Sequence, residues 1–465
     1  MSERAAPDAF DTPLSQLPQA SVEPLTTLPL LRRAHVVLAH LVHFYMHGTM
    51  PSQTVVPASL AVPLVQVSDR LGLPPILTYA DTVLWTWRLT DKARGLRADN
   101  VEITTTFTQT PSERAFFLLS LYCELHGPAL LRLMSATLDE VFFADRTALG
   151  RIAGYLRSIA GLVNELTALM AAATSSSGGF GPGARERIVP EVFYWEIRPW
   201  FNGGKWTYEG VVAHGEAKEM EWGGPSAGQS SLVHALDLFL GVDHMPRAAP
   251  APGHARAHAH GTLERERKVE ASAFPGTFHD EHDKDTAAAV RAAATGGSKA
   301  ALHKAPSDAT FMQRMSHYMP GHHRAFLSHL ESLHSPNPAA PHAPVLPSLR
   351  KLARRHPHEL GPAYDGAVSA MKRFRDAHMR LATVFIVQQA RREPARGSVH
   401  WAEWEAKRVA KERADEERRT LGADAGGAAD KLVGTGGTDL VSFLKRCRDR
   451  TVEALLGDDD AQVQA

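Results

Sequence analysis

Cysteine is scarce in this sequence of 465 residues, and its scarcity excludes several classes of protein. The two cysteines, Cys123 and Cys447, lie in stretches typical of helices and have no C-x-x-C spacing. A disulfide-stabilised secreted domain and a zinc knuckle both need more cysteines, closely spaced. The sequence therefore fits a reducing compartment.

An excess of charge and a long apolar run are missing as well. Lysine and arginine together number 51, and aspartate and glutamate also number 51, so no net charge would attract a polyanion such as nucleic acid. No stretch approaches the roughly 18 to 20 apolar residues of a membrane span, and the first residues lack the apolar core of a secretory signal. We therefore expect a cytoplasmic protein without nucleic-acid or membrane partners.

Three segments have compositions that do not predict a packed core. Residues 1 to 25 are rich in proline, serine and alanine without periodicity, which predicts a disordered tail. Residues 246 to 306 predict a disordered insertion, whose histidine tracts have no rigid element to hold a metal. Residues 391 to 430 predict a charged insertion that contains a solvated helix. The length of the whole chain suggests two or three domains.

The strongest single signal is a histidine in the apolar face of a predicted helix at residues 366 to 388. Six positions recur at spacings of three and four, which places them on one buried stripe: Ala367, Met371, Phe374, His378, Leu381 and Phe385. A buried imidazole needs a hydrogen-bond partner or a metal, because an unpaired polar group costs on the order of 1 to 3 kcal/mol. From this helix alone, a core histidine paired with a protein group and a metal ligand are both open.

Three further stretches place polar groups where they could bind a ligand. Ser120 lies in the middle of an apolar helix, where a hydroxyl usually bonds to its own backbone. Arg198 stands among aromatic residues, either stacked on a ring at the surface or buried as an anchor for a carboxylate. The glycine-rich loop at 434 to 439 leads into a helix, and its backbone N–H groups could hold an anion. No Lys-Ser or Lys-Thr follows, so we expect a carboxylate rather than a nucleotide.

Residues 224 to 228 match the G-x-S-x-G pattern of a hydrolase nucleophile, with Ser226 at its centre. That motif requires a buried strand directly before the serine. The polar residues at 214 to 222 do not predict such a strand. The sequence therefore disfavours a hydrolase.

Four motifs, in this order, resemble those of the indoleamine 2,3-dioxygenase family. They are LPPILTYADTVLWTW at 73 to 87, SERAFFLLSL at 112 to 121, SAGQSS at 226 to 231 and GTGGTDLVSFLK at 434 to 445. The segment FMQRMSHYMP at 311 to 320 and the helix with His378 lie between the last two, as the family pattern requires. The resemblance covers residues 28 to 245 and 309 to 455.

The resemblance implies an all-α fold of two domains, a small helical one at 26 to 105 and a large one at 106 to 465, with haem b between them. His378 corresponds to the proximal ligand of the haem iron. The helix agrees with that role, because a neutral imidazole on a rigid buried helix suits haem iron. Asp237 and Arg375 correspond to a charged pair that braces this side of the haem.

By the same resemblance, the protein converts L-tryptophan and O2 into N-formylkynurenine, the first step of the kynurenine route to NAD, and an electron donor keeps the iron ferrous. Phe193 and Arg198 correspond to residues that contact the indole and the carboxylate, and Thr435 to one that closes over the amino-acid end. The other implied pocket residues are Tyr79, Phe116, Phe117, Ser120, Ser226 and Ala227. We expect a monomer. The alternative is a haem-binding gas or redox sensor of the same fold, although a sensor needs no carboxylate anchor.

Overall fold

A computed structural model describes residues 16–48, 52–175, 178–213, 216–244, 310–334, 345–394, 396, 401, 404–406, 408–410, 412–413 and 440–457. The predicted insertion at 246 to 306 lies outside the described residues, as do Thr435 and most of the segment at 391 to 430. Of the predicted tail, only the part from residue 16 onward is described. There, Arg70 Nη1 donates a hydrogen bond to the carbonyl of Val22 at 2.9 Å.

Helices form most of the described chain, which confirms the predicted all-α class. They are α1 Leu28–His47, α2 Ala58–Leu71, α3 Pro111–Glu124, α4 Gly127–Phe143, α5 Arg146–Ala173, α6 Ser231–Leu240, α7 Phe311–Ser316, α8 Gly321–Ser332, α9 Leu349–Arg355, α10 Pro357–Ala382 and α11 Leu440–Val452. Shorter helical turns lie at Ala80–Leu84, Phe193–Ile197, Arg198–Phe201, Ala227–Gln229 and Thr383–Val387. None of the described helices combines the length and the apolarity needed to cross a membrane.

Two small sheets accompany the helices, and the sequence patterns did not predict them. Their strands are β1 Val55–Val56, β2 Trp87–Leu89, β3 Val101–Ile103, β4 Gly204–Ala213 and β5 Glu216–Trp222. Strand β4 pairs in parallel with β1 and antiparallel with β5, while β2 and β3 form a separate antiparallel pair. Within β4, the buried Tyr208 donates from its hydroxyl to the carbonyl of Pro75 at 2.9 Å. The hairpin therefore supports the loop that leads to Tyr79.

The start of α3 is determined by local capping. The Thr110 side chain accepts the backbone N–H of Glu113 at 3.2 Å, and Pro111 occupies the first turn, where its missing N–H costs nothing. The Glu113 carboxylate in turn accepts the backbone N–H groups of Phe107 and Thr108, at 2.8 and 2.6 Å. These contacts fix the rotation of α3, and with it the side chains that face the site.

The two longest helices, α5 and α10, pack along each other in one hydrophobic core. Leu156 and Val163 from α5 and Met371 from α10 are fully buried there. The buried Tyr364 hydroxyl of α10 donates to the carbonyl of Leu240, at the end of α6, at 2.7 Å. Helix α10 is therefore held rigidly on several sides, which is what a helix that positions a ligand-binding histidine requires.

Candidate functional site

A cavity between α3, α6, α10 and the shorter helical turns brings most of the predicted site residues together. It contains about 1540 Å³ of space free of protein atoms, including solvent-filled space at its opening. Aliphatic and aromatic side chains make most of its wall. The predicted residues that line it are Tyr79, Phe116, Ser120, Phe193, Arg198, Ser226, Ala227 and His378. Segments far apart in the sequence thus meet at one site.

His378 lies near the C-terminal end of α10 and faces this cavity. The predicted stripe continues on both sides of it, since Phe374 precedes it and Phe385 follows in the turn Thr383–Val387, and both are buried. Neither ring nitrogen of His378 has a hydrogen-bond partner in the described part of the chain. Burial, and then the charge of Arg375, lower the pKa of His378 to about 4, so the imidazole is neutral at pH 7. The alternative of a histidine paired with a protein group therefore has no support among the described residues.

Arg375 lies one turn before His378 and belongs to a buried ion pair outside the cavity wall. Its Nη2 donates to both carboxylate oxygens of Asp237, at 2.8 and 2.6 Å, and its Nη1 donates to Thr451 Oγ1. His244 Nε2 lies 2.9 Å from Asp237 Oδ2. Burial alone would raise the pKa of Asp237, but Arg375 and His244 outweigh burial and the pKa is lowered. This ion pair joins α6, α10 and α11 directly behind the histidine.

The predicted phenylalanines divide between the cavity and the core. Phe116 and Phe193 both line the cavity, and their ring centroids lie 4.7 Å apart. Phe117, whose side chain points about 100° away from that of Phe116 around α3, does not line it. Instead Phe117 is fully buried, with its ring centroid 5.9 Å from that of Phe201.

The sequence left two settings open for Arg198, stacking on an aromatic ring at the surface and burial as an anchor for a carboxylate, and the structure shows features of both. Its guanidinium carbon lies 5.6 Å from the centroid of the Tyr194 ring, and its side chain is half-buried and lines the cavity. Burial lowers the pKa of Arg198, yet a guanidinium stays charged in proteins. The cavity thus has a cation in its wall, suited to a carboxylate.

Ser120 lines the cavity one turn after Phe116 on α3. Its hydroxyl makes no hydrogen bond within the described part of the chain, so the expected bond to its own backbone is not found there. Thr435, predicted to close over the substrate, lies outside the described residues.

Ser226 also lines the cavity, at the start of the turn Ala227–Gln229. A strand, β5, does precede it, contrary to the sequence-based expectation. However, β5 is half-exposed, with Met220 buried and Glu221 exposed, and it belongs to an antiparallel hairpin. The Ser226 hydroxyl accepts the backbone N–H of Gly228 at 3.2 Å, and no described histidine or carboxylate activates it. The hydrolase interpretation stays disfavoured.

Glu124 is a cavity residue that the sequence analysis missed. Its Oε1 accepts hydrogen bonds from the hydroxyls of Tyr79, at 2.9 Å, and Ser230, at 2.6 Å. Burial raises the pKa of Glu124, partly offset by these two donors, and burial also raises the pKa of the Tyr79 phenol. The spacing of Phe116, Ser120 and Glu124, four residues each, was a signal that could have identified it.

Comparisons with known proteins agree with this arrangement. The family model described as indoleamine 2,3-dioxygenase matches residues 6–454. The chain is 28% identical over 437 residues to an indoleamine 2,3-dioxygenase of Saccharomyces cerevisiae, covering 91% of this chain and 78% of the yeast protein. It is 26% identical over 451 residues to indoleamine 2,3-dioxygenase 1 of Rattus norvegicus, covering 95% of this chain and 84% of the rat protein.

A third relative has a different stated substrate. The chain is 26% identical over 456 residues to a 6-hydroxytryptophan 2,3-dioxygenase of Fusarium equiseti, covering 94% of this chain and 86% of the fungal protein. The family match extends along nearly the whole sequence, which confirms the resemblance carried by the four motifs. The chain therefore belongs to the indoleamine 2,3-dioxygenase family of dioxygenase oxidoreductases.

Proposed function

We propose that this protein is a haem-dependent dioxygenase that converts L-tryptophan and O2 into N-formylkynurenine. The observation that carries the proposal is the setting of His378, a neutral imidazole that faces an apolar cavity without a described protein partner. Imidazole is a common axial ligand of haem iron, so the residues present fit haem b with His378 as the proximal ligand. Haem, when bound, supplies the redox chemistry with O2.

The proposed role of the protein is to hold and orient the two organic groups. The Arg375–Asp237 pair, one turn from His378, would keep the imidazole-bearing face of α10 in place. Arg198 would bind the carboxylate of the amino acid through paired N–H groups, which fixes orientation as well as affinity. Phe116 and Phe193 would pack on the indole and exclude water from it.

Other parts of the proposal rest on the family resemblance. Ser226 and Ala227, both in the cavity wall, would lie beside the haem, and Thr435 would close over the amino-acid end of the substrate. Because one relative is named for 6-hydroxytryptophan, a hydroxylated tryptophan is an alternative substrate. The electron donor, the place in the kynurenine route, the monomeric state and the cytoplasmic location stay predictions.

The test of haem ligation is the absorption spectrum of the haem-supplied protein, with tryptophan turnover assayed on the same samples. We expect a Soret band and N-formylkynurenine from the wild type, and the loss of both in His378→Ala. The matched control is His358→Ala, on the exposed face of the same helix, which should keep both. A wild type that takes up no haem, or a His378→Ala variant with an unchanged spectrum, would refute the proposal.

The role of Arg198 separates an enzyme from a haem-binding sensor of the same fold. Losing hydrogen bonds to a charged group costs about 1.5 to 3 kcal/mol, so Arg198→Ala should lower kcat/KM for tryptophan on the order of 10- to 100-fold without removing the Soret band. Arg198→Lys should retain a kcat/KM between those of the wild type and Arg198→Ala, because lysine keeps the positive charge but lacks the planar guanidinium group that can make paired hydrogen bonds. The control is Arg146→Ala, an exposed site on α5. A wild type with a Soret band and no turnover would favour the sensor.

A further inference from the structure

One carboxyl oxygen in the cavity is still available to a ligand. Glu124 lines the cavity, and its Oε1 already accepts hydrogen bonds from Tyr79 and Ser230. Its second oxygen, Oε2, has no hydrogen-bond partner among the described residues. A carboxylate oxygen can accept about two hydrogen bonds. Because the two hydroxyls hold the side chain in place, Oε2 is preorganised to accept a hydrogen bond from a bound molecule.

The position of Glu124 along α3 indicates which end of a substrate it would meet. Phe116 contacts Phe193 and Phe201, with ring centroids 4.7 and 5.9 Å away, and these two residues flank Arg198 in the chain. Glu124 comes eight residues after Phe116, which is about 12 Å along a helix that rises 1.5 Å per residue. The carboxyl of Glu124 is thus displaced along the cavity wall from the segment that carries Arg198.

We propose that Glu124 selects substrates that carry a hydrogen-bond donor on their aromatic end, such as a hydroxyl on the benzo ring of an indole amino acid. The inference rests on the proposed function, since Arg198 must hold the opposite, carboxylate end. The ammonium group of an amino acid is next to its carboxylate and so belongs to the Arg198 end. A donor on the distant ring is therefore the group that Glu124 would meet.

The test compares the binding of L-tryptophan, 6-hydroxy-L-tryptophan and 6-methoxy-L-tryptophan to the haem-supplied protein by calorimetry without O2. Glu124→Gln is the informative variant, because the amide oxygen can still accept from Tyr79 and Ser230 while an NH2 group replaces the free acceptor. We expect the ratio of hydroxytryptophan to tryptophan affinity to fall about tenfold, the loss of one hydrogen bond to a carboxyl oxygen in the cavity. The methoxy compound, which cannot donate, should show no such fall. Glu359→Gln, exposed on α10, should leave the ratio unchanged.

Equal changes for all three ligands would overturn the inference, because Glu124 would then act only by positioning Tyr79. A wild type that binds none of the three would also overturn it. The failure of the proposed function is a separate result: a haem-loaded wild type that binds the amino acids but oxidises none of them. In that case the ratio of binding constants still decides the role of Glu124.

Discussion

At the scale of single residues, the charged pair behind His378 buries two charges, and removing charges from water costs free energy. Arg375 and Asp237 are 7% and 3% exposed, so each would be strongly destabilising in this place without the other. Asp237 accepts two hydrogen bonds from Arg375 and interacts with His244, and Arg375 also bonds to Thr451. The pair is therefore a fixed structural unit that connects three helices beside the histidine.

We predict that Asp237→Asn lowers the free energy of unfolding on the order of 3 to 5 kcal/mol, because it leaves the Arg375 charge buried without compensation. Urea unfolding measures the change. The control is Glu219→Gln, which removes one partner of an exposed ion pair with Lys205 at 2.7 Å and should cause no measurable loss. Similar unfolding midpoints for the two variants would contradict this account of the buried pair.

At the scale of elements, the turn Ala227–Gln229 lies very close to α7. A Cβ atom on Gly228 would lie 2.9 Å from Phe311 Cε1 and 3.2 Å from Met315 Cγ, and Gly228 and Phe311 both line the cavity. The Gln229 side chain fastens the same turn, since it accepts the backbone N–H of Tyr79 and donates to the carbonyl of Gly224. The small residues of this motif thus permit an approach that a larger side chain would prevent.

We predict opposite effects for two glycine-to-alanine substitutions. Gly228→Ala should cost about 1 to 3 kcal/mol, because Phe311 and Met315 must shift to admit the methyl group. Gly161→Ala should stabilise by roughly 0.5 to 1 kcal/mol, because the position is in the middle of α5 with nothing within 4 Å of the new Cβ. Thermal and urea unfolding of both variants measure whether each substitution raises or lowers the free energy of unfolding. An unchanged free energy of unfolding in Gly228→Ala would show that the turn has more room than the distances indicate.

At the scale of the whole molecule, some histidines are held in their neutral form. Burial lowers the pKa of His40 to about 4 and also lowers the pKa of the buried His43, and loss of solvent lowers the pKa of the half-buried His234. His40 illustrates the cause. Its Nδ1 bonds to the carbonyl of Val36 at 2.7 Å, its Nε2 has no partner in the described part of the chain, and its ring stacks on Phe107. A protonated ring there would be a buried charge without a direct ion-pair partner, because the nearby Asp81 carboxylate bonds to His35.

We predict an acid-sensitive fold with a loss of stability between pH 6.5 and about 4. His40 makes its full contribution to the free energy of unfolding above its ordinary pKa of 6.5. That contribution is lost as the pH falls to the folded pKa of about 4, because the histidine of the unfolded chain takes up its proton at a higher pH than the folded one. At 1.36 kcal/mol per pKa unit, this histidine alone accounts for roughly 3 kcal/mol.

The measurement is the urea midpoint at pH 7, 6 and 5. His40→Phe keeps a ring against Phe107 and removes the titrating group, so its midpoint should depend less on pH than that of the wild type. The control is the exposed His329→Gln, whose pH dependence should match the wild type. Identical pH dependence in His40→Phe and the wild type would exclude His40 as a source of the acid sensitivity.

Periodicity along single segments predicted the helices well, because helix formation and helix amphipathicity are local. Four of the six stripe positions, including Met371 and Phe385, are buried as predicted, while His378 and Leu381 are half-buried and line the cavity. The all-α class is confirmed. The hairpin of β4 and β5 was not predicted, because pairing between strands depends on partners that no local pattern identifies. Phe117 is buried in the core and does not line the cavity, and the family resemblance did not reveal this, because the packing of α3 decides which of its positions face the cavity.

The sequence by itself determined the family and the types of group available for chemistry, because ordered motifs and side-chain identities do not depend on folding. It also determined that His378 lies on an apolar helix face, since helical spacing is a property of the chain. Only the tertiary structure decided which groups share the cavity and which already have partners. Glu124 shows the difference: whether its carboxyl is an exposed charge or a cavity acceptor depends on Tyr79 and Ser230, residues that only the fold brings within hydrogen-bonding distance.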